Sequence, residues 1–374
     1  MNIWKTCVLG DVLTFQRGHD LPKNKMVHGE YPVVGSNGII GNHNKYTTEA
    51  PAITIGRSGN TGNPFIVYGR SWSHNTTLYV KEFKGSDPVF VYYLLKTLDL
   101  GNFAGGSAVP TLNRNHIHTL ELAIPPLDEQ IEIGQTLRAL DEKIANNTKI
   151  NQDLEQIAQA IFKSWFVDFE PFDWKKPSNW ITGSLLDIAE YLNGLAMQRF
   201  QPVDDEANLP VLKIKELRQG FCDSSSDLCS SNIRSDYIVH DGDVIFSWSG
   251  SLLVDIWCGG DCGLNQHLFK VTSKKYDKWF YYLWTYYYLS KFISLAADKA
   301  TTMGHIKRDA LKNAKVIIPT TDYYKKIGEL LIPIFEQIVR NRIECRKLSL
   351  LRDQLLPRLM SGELSVADMD GDAK

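Results

Sequence analysis

Trp4-Lys-Thr-Cys-Val-Leu-Gly-Asp-Val-Leu-Thr-Phe-Gln-Arg-Gly18 and Trp180-Ile-Thr-Gly-Ser-Leu-Leu-Asp-Ile-Ala-Glu-Tyr-Leu-Asn-Gly194 are two copies of one pattern. Trp4/Trp180, Leu9/Leu185, Asp11/Asp187, Val12/Ile188 and Gly18/Gly194 all lie 176 residues apart. Farther along the separation grows, as insertions in the second copy require. Ile124-Pro125 matches Ile318-Pro319 and Ile133-Gly134 matches Ile327-Gly328, both 194 residues apart. Self-similarity on this scale means a duplicated unit, and it sets the architecture before any single element is read.

The larger separation then holds without a gap along a helical pattern. In the first copy the apolar positions are Ile133, Leu137, Leu140, Ile144, Leu154, Ala158, Ile161 and Trp165, with Asn147 and Asn151 at the two intervening places. In the second they run Ile327, Leu331, Ile334, Ile338, Asn341, Cys345, Leu348, Arg352, Leu355 and Leu359. A period of 3.5 over four to five heptads predicts two coiled-coil helices, the alternative being ordinary amphipathic surface helices. Pro125-Pro126 and Pro319 stand before their starts, where proline is tolerated, and Pro357 is expected to kink or end the second. Residues 127–170 carry an acidic excess and 323–363 a basic one. Two such helices, each following an equivalent globular half, are expected to pair antiparallel about a pseudo-twofold axis. Leu137, Leu140, Ile144 and Leu154 then face Leu331, Ile334, Ile338 and Leu348, with Asn147 expected across from Asn341 to fix register.

The predicted plan is therefore α/β: a globular half (1–126), a long helix (127–170), a second half (171–322), a second helix (323–364) and a tail (365–374). Within the halves, Pro51–Gly56 and Asp243–Trp248 read as buried strands closed by glycine turns, and Thr77–Lys81 and His267–Val271 as matching strands. Phe90–Leu95 and Trp279–Leu283 read as buried helices. The loops between are dense in groups suited to base edges and phosphates. In the first half these are Asn42, His43, Lys45, Arg57, Ser58, Asn60, Asn75, Asn113 and Arg114. In the second they are Lys213, Lys215, Ser249, Ser251, Asn265, Gln266, Lys299, Thr301, Thr302, Lys307 and Arg308. Polar surface loops share this composition, so each residue is a candidate and no more.

Composition narrows the classes. The 374 residues exceed one average domain of about 100–200 residues. Hydrophobic content of 43% supports real cores, and no apolar run is long enough for a membrane span. The opening MNIWKTCVLGD has no charged-then-apolar pattern, so secretion is not expected, and six scattered cysteines fit free thiols in the cytoplasm. A net charge of −2 means that any nucleic-acid contact must be local or shared with a partner. There is no G-x-x-x-x-G-K-[ST] loop, and Phe103-Ala-Gly-Gly-Ser107 precedes no suitable strand–helix unit. Ile124-Pro-Pro-Leu127 lacks the flanking residues of an adenine-methylating site. Cys222, Cys229, Cys258, Cys262 and His267 have no zinc spacing, so neither a metal site nor a catalytic one is expected.

Together these marks resemble the specificity subunits of Type I restriction-modification systems. The resemblance rests on Trp4…Leu9-Gly10-Asp11…Gly18, on Ile124-Pro-Pro-Leu-Asp-Glu-Gln130 opening a long helix, and on Phe162-Lys-Ser-Trp-Phe-Val-Asp-Phe-Glu-Pro171 closing it. It is completed by the repeat, ending in Leu355-Leu-Pro-Arg-Leu-Met-Ser-Gly-Glu-Leu364. One departure is Pro319-Thr-Thr-Asp-Tyr-Tyr324 at the start of the second helix. The resemblance implies that each half is a target-recognition domain for half of a bipartite, asymmetric double-stranded DNA site, and that the helices act as a ruler. It implies a dock for two modification subunits, which carry S-adenosylmethionine and methylate adenine. Restriction subunits using ATP and Mg would join them, while this chain holds no cofactor and is not an enzyme. The competing readings are a self-contained DNA methyltransferase and a coiled-coil scaffold without a nucleic-acid role.

Overall fold

The computed structural model describes residues 4–105, 110–204, 207–297, 306 and 308–367. The chain divides into two compact units, Met1–Lys143 with Leu348–Lys374, and Ile144–Lys347. Each unit takes part of both long helices. Among the described residues no helix is long and apolar enough to cross a membrane.

In the first unit a four-stranded antiparallel sheet runs in the order Thr14–Arg17, Thr77–Glu82, Ala52–Gly56, Pro64–Val67. The second unit repeats it as Glu190–Asn193, Leu268–Thr272, Val244–Ser247, Leu253–Ile256. The residues that betray the repeat each have a local task. Asp11 and Asp187 close short helical turns by accepting from the backbone N–H of Val8 (3.2 Å) and Ser184 (2.7 Å). Gly18 and Gly194 pass so close to another stretch of backbone that a Cβ would lie 2.0 Å from the His74 carbonyl and 2.2 Å from that of Asn265. No side chain fits there. Smaller sheets flank the main ones, and Lys5–Val8 pairs antiparallel with Glu121–Ile124 as Ile181–Ser184 does with Lys315–Ile318.

Those last strands deliver the chain to the helices, Leu127–Phe166 and Thr321–Met360. The start of each is tied to a helix of its own half, Pro88–Thr97 or Lys278–Ala297. In the first unit buried Gln130 accepts from the Asp87 N–H at 3.0 Å and donates to the Pro125 carbonyl at 2.9 Å. In the second, Tyr324, at the equivalent place, accepts from the Asp277 N–H at 2.7 Å and donates to the Asp277 carboxylate at 2.9 Å. The divergent start of the second helix thus keeps the joint with a different side chain.

Rising numbers on one helix meet falling numbers on the other, so the helices pair antiparallel. In the first unit Arg352 bonds Asp141 at 2.6 Å. In the second, Asn147 donates to Glu344 at 2.7 Å and Asn341 to Asn151 at 2.8 Å. Asn151 also donates to the Ile338 carbonyl, and its repeat counterpart Cys345 donates to the Ile144 carbonyl. The expected Asn147–Asn341 match is therefore corrected. Asn147 is buried, but the stagger sets Asn151 against Asn341. Leu137, Leu140, Ile144, Leu154, Leu331, Ile334, Ile338 and Leu348 are all buried or half-buried. Pro357 does not end the helix, which runs on to Met360. The residue four earlier, Asp353, is exposed, so its freed carbonyl can turn to water.

Leu9, Phe15, Ile55, Phe90, Tyr93 and Leu94 form the first unit's core with Ile133, Leu137, Leu355 and Leu359 of the long helices. An aromatic counterpart in the second unit packs Phe246, Trp279, Phe280 and Trp284 against Phe162, Phe166, Ile327 and Leu331.

Candidate nucleic-acid interface

A cleft of about 910 Å³ opens beside the main sheet of the first half. Its walls carry Arg17, Arg57, Lys81 and Arg114, with Gln16, Asn113 and Asn115 between them and no carboxylate. Arg57 follows directly on the central strand, and its backbone is fixed on both sides: its N–H donates to the Thr76 carbonyl and its carbonyl accepts from Leu112 N–H. Its half-buried side chain reaches the Asn75 carbonyl at 3.4 Å. Burial, and then the charge of Arg17, hold the Arg57 guanidinium below its ordinary pKa. Arg114 donates to the Phe15 carbonyl at 3.2 Å, and Asn113 caps the short turn Arg114–Ile117 by accepting from Asn115 N–H. Nearby His118 accepts from Phe15 N–H at 3.1 Å, and burial lowers its pKa, aided by Lys84 and Arg114.

Other candidates in this half scatter. Ser58 bridges to Thr111. Asn60 accepts from Asn63 at 2.5 Å and Asn75 donates to Asp20 at 2.6 Å. Asn42 and Lys45 are exposed but outside the cleft. His43 is a packing residue: it is buried, bonds the Val27 backbone, and sits edge-on to Trp72 at 5.1 Å.

Backbone bonds identify the same place in the second half. Trp248 N–H donates to the His267 carbonyl and Ile306 N–H to the Trp248 carbonyl, as Arg57 and Leu112 do in the first. Trp248 thus occupies the Arg57 position and Asn193, just before the repeat glycine, that of Arg17; their side chains join, indole N–H to amide oxygen, at 2.8 Å. Two candidates here are buried and engaged within the fold. Ser249 bonds His267 at 3.0 Å, and Asn265 accepts from His267 N–H at 3.2 Å. Gln266 lies 3.4 Å from the His267 ring, and exposed Ser251 accepts from Ser247 through its carbonyl. Lys213 pairs with Asp227, and Lys215 bonds Ser225 at 2.6 Å, so the charge of Lys213 is met inside its own loop. Arg308 is exposed at the start of its helix, while Lys299, Thr301, Thr302 and Lys307 lie outside the described residues.

Sequence reasoning missed Arg17, Lys81 and Asn193. Lys81 was read as the end of a strand, and Arg17 and Asn193 only as part of the repeated pattern, where their adjacency to the repeat glycine was the available signal. The cysteines do not converge as a metal set: Cys222 and Cys262 approach to 3.5 Å, but no group of three metal-ligating side chains forms among the described residues. The glycine-rich stretch after Phe103 lies partly outside those residues.

The comparisons agree with this duplicated plan. The family model described as Type I restriction modification DNA specificity domain matches residues 1–156 and again 177–345. The MjaIX specificity subunit of a Type I restriction enzyme from Methanocaldococcus jannaschii is 31% identical over 305 residues, 75% of this chain and 70% of that one. The HindI specificity subunit from Haemophilus influenzae is 22% identical, covering 68% of this chain and 71% of its own. A crystal structure of a Type I S subunit from M. genitalium shares the fold with a TM-score of 0.68 at 15% identity, covering 96% of both chains. Two matched copies, on two units of one sheet order, mean that this chain belongs to the Type I restriction modification DNA specificity family, as a specificity subunit and not a catalytic one.

Proposed function

We propose that each globular half reads one part of a bipartite, asymmetric double-stranded DNA target. The observation that carries this is the pairing of one backbone frame with two side-chain sets: Arg17 and Arg57 in one copy, Asn193 and Trp248 in the other. Equal frames suit equivalent approach to DNA, and unequal side chains suit unequal sequences. The paired helices then fix the unspecified spacer and offer a dock to two modification subunits and, with them, to restriction subunits. S-adenosylmethionine, ATP and Mg belong in this reading to the partners, and the setting is the cytoplasm.

The test is to assemble the chain with its modification subunits and map the adenines methylated in the host genome. One motif with two unlike half-sites and a constant spacer is expected. Methylation without a sequence motif would overturn the reading. S-adenosylmethionine binding by the isolated chain would revive the methyltransferase alternative.

A further inference from the structure

The two equivalent places share backbone bonds and differ in side-chain chemistry. In the first half, Arg17, Arg57, Lys81 and Arg114 share one cleft that no carboxylate lines. Among the described residues none of the four has an ion-pair partner. Lys81 stands in a strand bulge, Phe15 pairing with Val80 and Thr14 with Glu82, and the second half pairs through the same point without a shift. Of the four cations, Arg114 alone has a charged counterpart at a described position, Arg308. Asn193 and Trp248, at the other two places, complete each other with a hydrogen bond.

Arg17 and Arg57 do not complete each other. Two guanidiniums on one wall repel, and the half-buried one gains least from water. Such a pair is relieved by a full negative charge, and the planar fork of each matches phosphate oxygens. A guanine edge offers only partial charges, and an arginine reading it needs its fork free to extend into the groove. Arg57 is instead held back against the Asn75 carbonyl. We infer that Arg17 and Arg57 jointly seat one phosphate of the DNA backbone, so that the first half anchors through a charge clamp whose two positions hold Asn193 and Trp248 in the second half. The sequence left Arg57 open between a base edge and a phosphate, and this assigns it the phosphate and a positioning role. This rests on the proposal that the chain binds DNA.

The experiment uses the complex with modification subunits and duplexes carrying the mapped motif, plus variants altered at each base pair of the first half-site. Affinity is measured against KCl concentration for the parent, Arg17→Gln, Arg57→Gln, the double variant and Arg57→Lys. Each single Gln variant is expected to weaken binding several-fold and uniformly across the panel. Each should also flatten the log–log salt slope by about 0.9, the value for one phosphate contact on duplex DNA. The double variant should flatten it no further, and Arg57→Lys should retain most of the slope. A loss confined to one base-pair position, or an unchanged slope, overturns the clamp. Thermal melting checks that each variant folds, and exposed Arg17 provides a substitution outside the core. If the parent complex itself ignores sequence, the proposed function fails, while the salt slopes still decide the clamp.

Discussion

Arg342 projects from the second long helix into a cluster of acceptors: Asp255 at 2.7 Å, the Ile256 carbonyl at 2.8 Å and Glu155 at 2.8 Å. Burial opposes its charge, but Asp255 and Glu155 outweigh that penalty and hold its pKa above the ordinary value. About one helical turn on, Arg346 takes both oxygens of Asp241 and the Cys258 carbonyl. Removing a guanidinium here leaves partly buried carboxylates unpaired, so Arg342→Ala should destabilise the second unit by about 3 kcal/mol. Denaturant unfolding measures it, and a change within a few tenths would show that the cluster is only decorative. The thiols offer a second check. Burial pushes Cys258 up to about 11, whereas Cys222 is lowered by its hydrogen bond with Cys262. At pH 8 iodoacetamide should therefore modify Cys222 well before Cys258, since the thiolate is the nucleophile. Mass spectrometry of the labelled peptides would expose a reversed order.

Among the elements, the helices were the most legible. A 3.5-residue period marks which face is buried whatever the partner, so the seam could be read from spacing alone. The stagger could not. Sliding one helix by about a turn exchanges Asn147 for Asn151 opposite Asn341 and leaves every spacing intact. The joints at the helix starts were half legible: Gln130 stood in a motif, but Tyr324 shows its equivalence only through its bond to Asp277. At the cleft, Arg57 was visible as a glycine-flanked loop cation, whereas Arg17 was hidden because strand alternation does not say which face is wet. The Asn151–Asn341 bond gives an element-scale prediction. Asn341→Leu leaves the Asn151 amide oxygen without its donor in a buried seam and should cost about 1–3 kcal/mol. Asn151→Leu together with Asn341→Leu should recover much of that loss, because replacing both partners of a buried polar pair is often near neutral. A double variant less stable than either single one would show that the amides have other indispensable partners.

For the whole molecule, charge is divided as unevenly as chemistry. The first half holds eleven Lys and Arg against eight Asp and Glu over residues 1–126, the second seventeen against eighteen over 171–322. That division agrees with the charge-led anchor inferred for the first half. The proposed ruler makes a metric prediction. Four residues added to each long helix, after Asn147 and after Asn341, lengthen both by about 6 Å at ~1.5 Å per residue. That is about two base-pair steps of ~3.4 Å. The methylated motif should keep both half-sites and gain about two base pairs of spacer. Altered half-sites with an unaltered spacer would refute it.

The strand pairs that close each half have a consequence for inheritance. Lys5 lies beside Ile124 and Ile181 beside Ile318, so the chain enters and leaves each half at one spot. A segment whose two ends meet can be exchanged as a cassette with two cuts and no rerouting of the rest. Gln130 and Tyr324 show how much variation the seam of such a cassette tolerates, since unlike residues make the same joint. Recombination at those borders would let a lineage acquire a new address for its DNA in one event, while the apparatus that acts on that address stays as it was.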